Sequence, residues 1–218
     1  MSSLIMPVTT TVKIPGLSKK AFEQDVELAM TNILLSLEKN SGKKIVGDGN
    51  FSATPSRVGR AYVELLDGMF HENGVKEILA TTFPAKGDEM VTVGPVDTWS
   101  VCAHHFLPVH LHVWLAYIPR KKVLGLSKLA RLAELLAKRP GLQEDVTFDI
   151  AKTLYDGLKP LGAACLIRGR HLCMEMRGVK KSSVTTTTSL QGAFKKNAAA
   201  KSEFLEAVRA DMADNGRW

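Results

Sequence analysis

The spacing of apolar and polar positions changes period several times along the chain. Over residues 18–39 the positions Phe22, Val26, Ala29, Met30, Ile33 and Leu34 recur at steps of three and four, which predicts an amphipathic helix behind Ser18 as N-cap. Thr54-Pro55 supplies a capping residue followed by proline at the first helical position, and predicts a second helix running to about Phe70. Residues 75–80 add a short helical turn. From Met90 the period drops to two. After V-T-V-G-P-V-D-T-W-S, the residues Val109, Leu111, Val113, Leu115 and Tyr117 alternate with His110, His112, Trp114 and Ala116, predicting a strand pair with one apolar face. Helical spacing returns over residues 127–138 and 142–158, divided by Arg139-Pro140-Gly141. A strand over residues 163–179, bulged at Gly169, a threonine-rich strand over 182–190 and a last helix over 199–212 complete the pattern.

The order helices, strand pair, helix pair, strand pair, helix lacks the regular alternation of a doubly wound sheet. It predicts an α+β fold: an antiparallel sheet with a helix pair packed on one face, preceded by N-terminal helices. The two strand pairs around the helix pair give a weak two-fold layout, and no solenoid period is present. Residues 1–16, with Thr, Pro and Gly but no periodicity, read as an extended arm.

Composition narrows the class. In 218 residues, 45% are hydrophobic and 23% charged, a globular balance that disfavours disorder, collagen-like repeats and a disulfide scaffold. Three cysteines cannot all pair within the chain, which points to a reducing compartment. The start has no basic region followed by a long apolar core, and no apolar run is long enough to span a bilayer, so a cytoplasmic protein without a membrane partner is expected. Subtracting 22 acidic from 29 basic residues leaves +7, which favours anionic partners. With only 6% aromatic residues, that surplus suits a polyphosphate better than a nucleic-acid surface.

The densest chemical cluster is Cys102-Ala103-His104-His105, with His171 and Cys173 on a later strand. Two sulfurs and several imidazoles suit zinc, and a Cys-x-x-His pair with one distant Cys leaves a fourth position open, as in catalytic sites. Buried inert thiols and a chance His pair account for the spacing equally well. On an extended strand His171 and Cys173 point the same way, which places His171 beside Cys173 to move protons, and Arg177 follows on the same side. Cys165, with no histidine near it, is assigned to the core. Ser127, Lys128 and Arg131 sit in a first helical turn, where cations oppose the helix dipole unless a phosphate is bound; a solvated basic helix end is the plainer alternative. Arg57 and Arg60, three apart, share a helix face. Gln143 and Glu144 open a helix, where a carboxylate is favourable for the dipole alone or accepts two hydrogen bonds from the edge of guanine.

Together these stretches resemble the GTP cyclohydrolase I family. S-V-C-A-H-H-F-L-P-V, Y-I-P-R-K-K-V-L-G-L-S-K-L-A-R, Q-E, H-L-C-M-E-M-R-G-V and T-T-T-T-S-L-Q-G-A-F follow that family's order, over about residues 54–208. The resemblance implies a tunnelling fold (T-fold), a catalytic domain over residues 54–218 after an arm and amphipathic helix at 1–53, and a homo-oligomer, usually a decamer of two stacked pentameric rings with active sites between subunits. It places zinc on Cys102, His105 and Cys173, and the catalytic histidines at His104 and His171. Guanine recognition falls on Gln143 and Glu144. Triphosphate contacts fall on Ser127, Lys128, Arg131, Arg177 and Arg57, with Arg60 where Lys is commoner.

The implied reaction is hydrolysis of GTP at C8, where water made more acidic by the metal attacks while histidines carry protons. Formate leaves, and rearrangement gives 7,8-dihydroneopterin triphosphate, the first step of pterin- and folate-type biosynthesis. The family usually has Glu where this chain has Ala103. That departure motivates two alternatives: the same fold and zinc site with dGTP or a 7-deazaguanine route, or a non-catalytic guanine-nucleotide binding paralogue.

Overall fold

Ser18 caps the first helix in the manner its position predicts: its backbone is extended and its Oγ accepts a 3.4 Å hydrogen bond from the Ala21 amide. The computed structural model describes residues 18–215, so the arm expected over residues 1–16 lies outside it. The chain divides into two units, Met1–Phe70 and His71–Trp218. In the first, α1 (Lys19–Ser41) ends on Gly42 in the left-handed region and packs against α2 (Thr54–Leu65). Leu34 is buried and Phe22, Val26 and Met30 are half-buried along one edge of α1, whereas Ala29 and Ile33, expected on that face, are exposed. Thr54 is the first helical residue, preceded by Ala53 as cap, and the helix stops at Leu65 before a single 3-10 turn at Asp67–Met69.

The second unit is built on a five-stranded sheet in the order β5-β2-β3-β6-β7. β2 (Val91–Cys102), β3 (Pro108–Ile118), β6 (Gly162–His171) and β7 (Val184–Gly192) pair antiparallel in sequence. The two-residue β5 (Pro140–Gly141), read from sequence only as a breaker, joins the other edge parallel to β2. A separate ribbon pairs β1 (Thr82–Pro84) with β4 (Lys122–Leu124), and α3 (Gly74–Leu79) precedes it. The expected bulge at Gly169 is absent, since β3 and β6 keep one register from Val109↔His171 to Ile118↔Gly162. The irregularity falls instead between Val93 and Val96.

The helix pair α4 (Leu126–Ala137) and α5 (Gln143–Leu158) covers one face of the sheet. Leu129, Leu132 and Leu136 with Val146, Ile150 and Leu154 bury their stripes against Val109, Leu111, Val113, Leu115 and Tyr117. Cys165 is fully buried in that layer, as expected, and burial pushes its thiol well above the ordinary range. Trp114 and Ala116 make part of the opposite face apolar too. Phe194 from α7 (Ala193–Lys196) and Phe204 and Val208 from α8 (Ala198–Asn215) fill it, and Trp114 Nε1 donates to Asp211 at 3.0 Å.

The largest departure from the sequence reading is at the end of β6. The strand stops at His171 and a helical turn, α6 (Leu172–Glu175), follows. Arg170 makes a two-pronged pair with Glu175 at 2.9 and 2.6 Å. Five residues of extended strand would carry those two about 17 Å apart, so the pair forms only because the chain folds back. Among the described residues no helix is long and apolar enough to cross a membrane.

Candidate metal and proton-transfer site

Cys102 is fixed by backbone on both sides. Its amide donates to the Leu107 carbonyl, its own carbonyl accepts from Phe106, each at 2.9 Å, and β5 pairs Gly141 beside it. Ala103, His104 and His105 form the turn between, and all three are exposed. The turn curls His105 back so that its Nδ1 lies 3.8 Å from Cys102 Sγ. From the other side, α6 brings Cys173 Sγ to 3.7 Å from Cys102 Sγ. The ligand atoms of Cys102, His105 and Cys173 all lie within 4.8 Å of one another.

This donor set fits a zinc ion. Both sulfurs are buried, and burial followed by contact with Cys102 pushes the Cys173 thiol upward. Two adjacent thiolates in such a place repel each other and lack solvent, and a divalent cation removes both penalties. The extended-strand argument for His171 and Cys173 needs correction, because Cys173 lies in a helical turn. The two residues are still brought to one end of the sheet.

His171 is held by its ring nitrogen Nε2, 2.9 Å from the side-chain oxygen of Gln143. An amide oxygen only accepts, so Nε2 carries the hydrogen and Nδ1 is left with a lone pair. Gln143 is 5% exposed, and its amide nitrogen is directed at the Ile167 carbonyl (3.2 Å), the Thr185 carbonyl (3.0 Å) and Thr187 Oγ1 (3.0 Å). Thr147 ties the same threonine, at 2.6 Å, to the first turn of α5. Burial holds His171 below the usual imidazole range, against the opposing pull of the Glu144 and Glu175 carboxylates. Gln143 therefore spends its side chain inside the protein, while Glu144 beside it is exposed.

The glycine that makes room for this amide is Gly169. A Cβ built there would stand 2.1 Å from Gln143 Oε1 and 2.9 Å from Leu111 Cδ2. Sequence reading singled out Gly169 as a bulge; its use is as a gap in a straight strand. Thr185 and Thr187 escaped that reading, since a threonine run carries no signal beyond strand propensity.

Arg177 reaches the centre, with a guanidinium nitrogen 3.1 Å from His105 Nε2. His104 stands with its ring centroid 6.2 Å from that of His105. Ser127, Lys128 and Arg131 are carried by α4. Helix α4 is capped by Gly125, so Ser127 is a first-turn residue and not the cap. That turn follows the far ends of β3 and β4, and the twelve-residue helix, about 18 Å long, returns toward Arg139 and the Cys102 end. Ser127 and Lys128 are thus at the opposite end of the sheet from Cys102 in the same chain, whereas Arg131, expected in the first turn, lies in the second turn near the middle of the helix. Arg57 and Arg60 are exposed on α2, in the first unit.

An antiparallel sheet backed by one helix pair, with a Cys–His–Cys donor pocket at its end, defines a tunnelling-fold protein with the makings of a metal centre. A model of the GTP cyclohydrolase I family matches residues 26–209. The chain is 39% identical over 189 residues to GTP cyclohydrolase 1 of Pelotomaculum thermopropionicum, covering 86% of this chain and 97% of that protein. With the enzyme of the same name from Campylobacter jejuni it shares 43% identity over 159 residues, covering 72% and 83%. Among solved structures, the apo form of archaeosine synthase QueF-Like gives a TM-score of 0.41 at 17% identity, over 49% of this chain and 97% of that one. The chain belongs to the GTP cyclohydrolase I family.

Proposed function

We propose that this protein hydrolyses GTP at C8 of the guanine, releases that carbon as formate, and rearranges the remainder to 7,8-dihydroneopterin triphosphate. The observation that carries the reading is the convergence of the Cys102, His105 and Cys173 donors within 4.8 Å at the sheet end that also holds His171 in a single tautomer. Family membership supplies the substrate.

In this reading Cys102, His105 and Cys173 hold zinc. Zinc bound there supplies Lewis acidity, which lowers the pKa of water enough for attack near neutral pH. His171 accepts or returns a proton through Nδ1, with Gln143 keeping Nε2 occupied. His104, exposed on the turn, is the second proton carrier. Glu144 takes the donor edge of guanine, and Gln143 serves recognition indirectly by fixing His171. Arg177 moves from His105 to the triphosphate when the nucleotide arrives. Ser127, Lys128, Arg131, Arg57 and Arg60 complete the phosphate grip, consistent with the chain's surplus of positive charge.

The placement of α4 gives this reading an oligomeric requirement. Its cationic first turn lies at the far end of the sheet from the Cys102 pocket of its own chain, which supports a second copy as its source. We accordingly read the enzyme as a homo-oligomer, with a decamer as the expected size. The three free cysteines favour the cytoplasm.

The test is formate and pterin release from GTP by purified protein, with zinc measured on the same sample. Cys173→Ser should lose both the zinc and the turnover. Full turnover after verified loss of zinc would overturn the reading.

A further inference from the structure

The sheet carries a second convergence of metal-type donors, on the face turned away from α4 and α5. Asp97, His110 and His112 present ligand atoms that all lie within 4.8 Å of one another. Register accounts for their meeting. Asp97 on β2 is the cross-strand partner of His112 on β3, Trp99 is the partner of His110, and the period of two puts all four on one face. His110 Nε2 is 2.6 Å from one oxygen of Asp97, and His112 Nε2 is 3.6 Å from the other. The same nitrogen of both rings is therefore aimed at a single carboxylate.

The surroundings are ordered. Trp99 stacks on His110 with ring centroids 4.5 Å apart and planes 19° from parallel. The His112 ring meets Trp114 edge-on, with its own side chain 4% exposed. From the neighbouring strand, β6 sets Arg168 opposite His112 and Arg170 opposite His110. Arg170 is engaged by Glu175, and Arg168 donates to Met212 Sδ at 3.4 Å. Guanidinium groups on the adjacent strand disfavour a hard cation held by charge alone. Two imidazole nitrogens and one carboxylate select instead the late first-row divalent ions, of which zinc is the commonest in proteins.

We infer that Asp97, His110 and His112 form a second binding site for a divalent transition-metal ion of the zinc class, separate from the Cys102–His105–Cys173 centre. Cys102 lies five residues along β2 from Asp97, about 17 Å at the strand rise, and on the other face of the sheet. The ion replaces the proton between His110 and Asp97 and leaves coordination positions for water or a further donor. It ties β2 to β3 at the point where the alternation of β3 turns from apolar to imidazole.

The probe is Co2+, added to the metal-stripped full-length protein, with bound metal counted after desalting and the visible spectrum recorded. Sulfur ligation gives an intense thiolate-to-cobalt band, while a site of two imidazoles and a carboxylate gives only weak ligand-field bands. The wild type should bind an equivalent of cobalt beyond the one that accounts for the thiolate band. His110→Gln and Asp97→Asn, both at partly solvated positions, should each lose that equivalent and keep the thiolate band and the circular dichroism of the fold. Equal cobalt in the variants and the wild type overturns the proposal, as does a wild type whose bound cobalt is all accounted for by the thiolate band.

Discussion

The Nε2 atom of His171 lies 2.9 Å from Oε1 of Gln143, and Gly169, two residues before His171, is the gap that lets that oxygen approach. Gly169→Ala would put a methyl group 2.1 Å from the oxygen, with Leu111 blocking retreat on one side. Gln143 must then swing off, and His171 loses the partner that fixes its tautomer. A positioned acid–base group supplies about 10²–10⁴-fold, so kcat should fall by at least tenfold while KM for GTP changes little. Steady-state kinetics on the variant, with zinc content unchanged, checks this. A kcat within twofold of wild type would show that Gln143 does not position His171.

Much of this arrangement was legible in the sequence because its determinants are local. The period of two in Val109 to Tyr117 and the stripes of α4 and α5 are short-range patterns that burial enforces, and Cys102 and His105 are joined by one turn. What escaped depends on distant partners. Gln143 is expected at a helix start as part of the guanine-recognising pair, and its inward tie to His171 escapes that expectation because the atoms that occupy its amide, on Thr185 and Thr187, lie more than forty residues away. The run through Cys173 read as one strand, because β propensity at Leu172 to Met176 carries no trace of the Arg170–Glu175 pair that folds it back. In α1, spacing alone could not tell which of two adjacent apolar rows would be covered, and Ile33 remained 53% exposed.

Asp149 gives the fold a pH dependence of its own. Burial, followed by the nearby Asp145 carboxylate, raises its pKa to about 6, against the pull of Arg139. An acid whose folded pKa lies above its unfolded value stabilises the native state below the unfolded pKa and loses that contribution as pH rises through the folded one. The window runs from about pH 4 to about pH 6. Asp149→Asn removes the charge that must be buried, so it should stabilise the protein above pH 6, by about 1 kcal/mol once solvent screening is allowed for, and much less near pH 4. Thermal melts of both proteins across that range test it; a difference in Tm that does not grow with pH would assign the effect elsewhere.

Ala103 is exposed on the turn, and its amide donates to the Gly141 carbonyl at 3.4 Å. The donor group of Cys102, His105 and Cys173 is complete without this position, and its side chain is open to solvent. Ala103→Glu should therefore leave zinc stoichiometry unchanged and alter kcat/KM or the preference for GTP over dGTP. Parallel assays of both nucleotides with metal analysis decide it. Altered zinc content in the variant would place this position within reach of the metal.

The separation of Lys128 from Cys173 makes a sharper prediction. If one chain supplies the metal pocket and a neighbour supplies the first turn of α4, then Lys128→Ala and Cys173→Ser damage different halves of each composite site. Each variant alone is inactive or severely impaired. Co-expressed, they assemble at random, and roughly a quarter of the composite sites receive an intact pocket from one chain and an intact helix from the other. Formate release by the mixed oligomer should return to about that fraction of wild type, far above either parent. Sites completed within one chain would show no recovery, because every chain then carries one defect. Recovery thus reports the geometry directly: about 14 Å of α4 separates Lys128 from the helix end that returns toward its own Cys102, so the intact helix would have to come from a second chain.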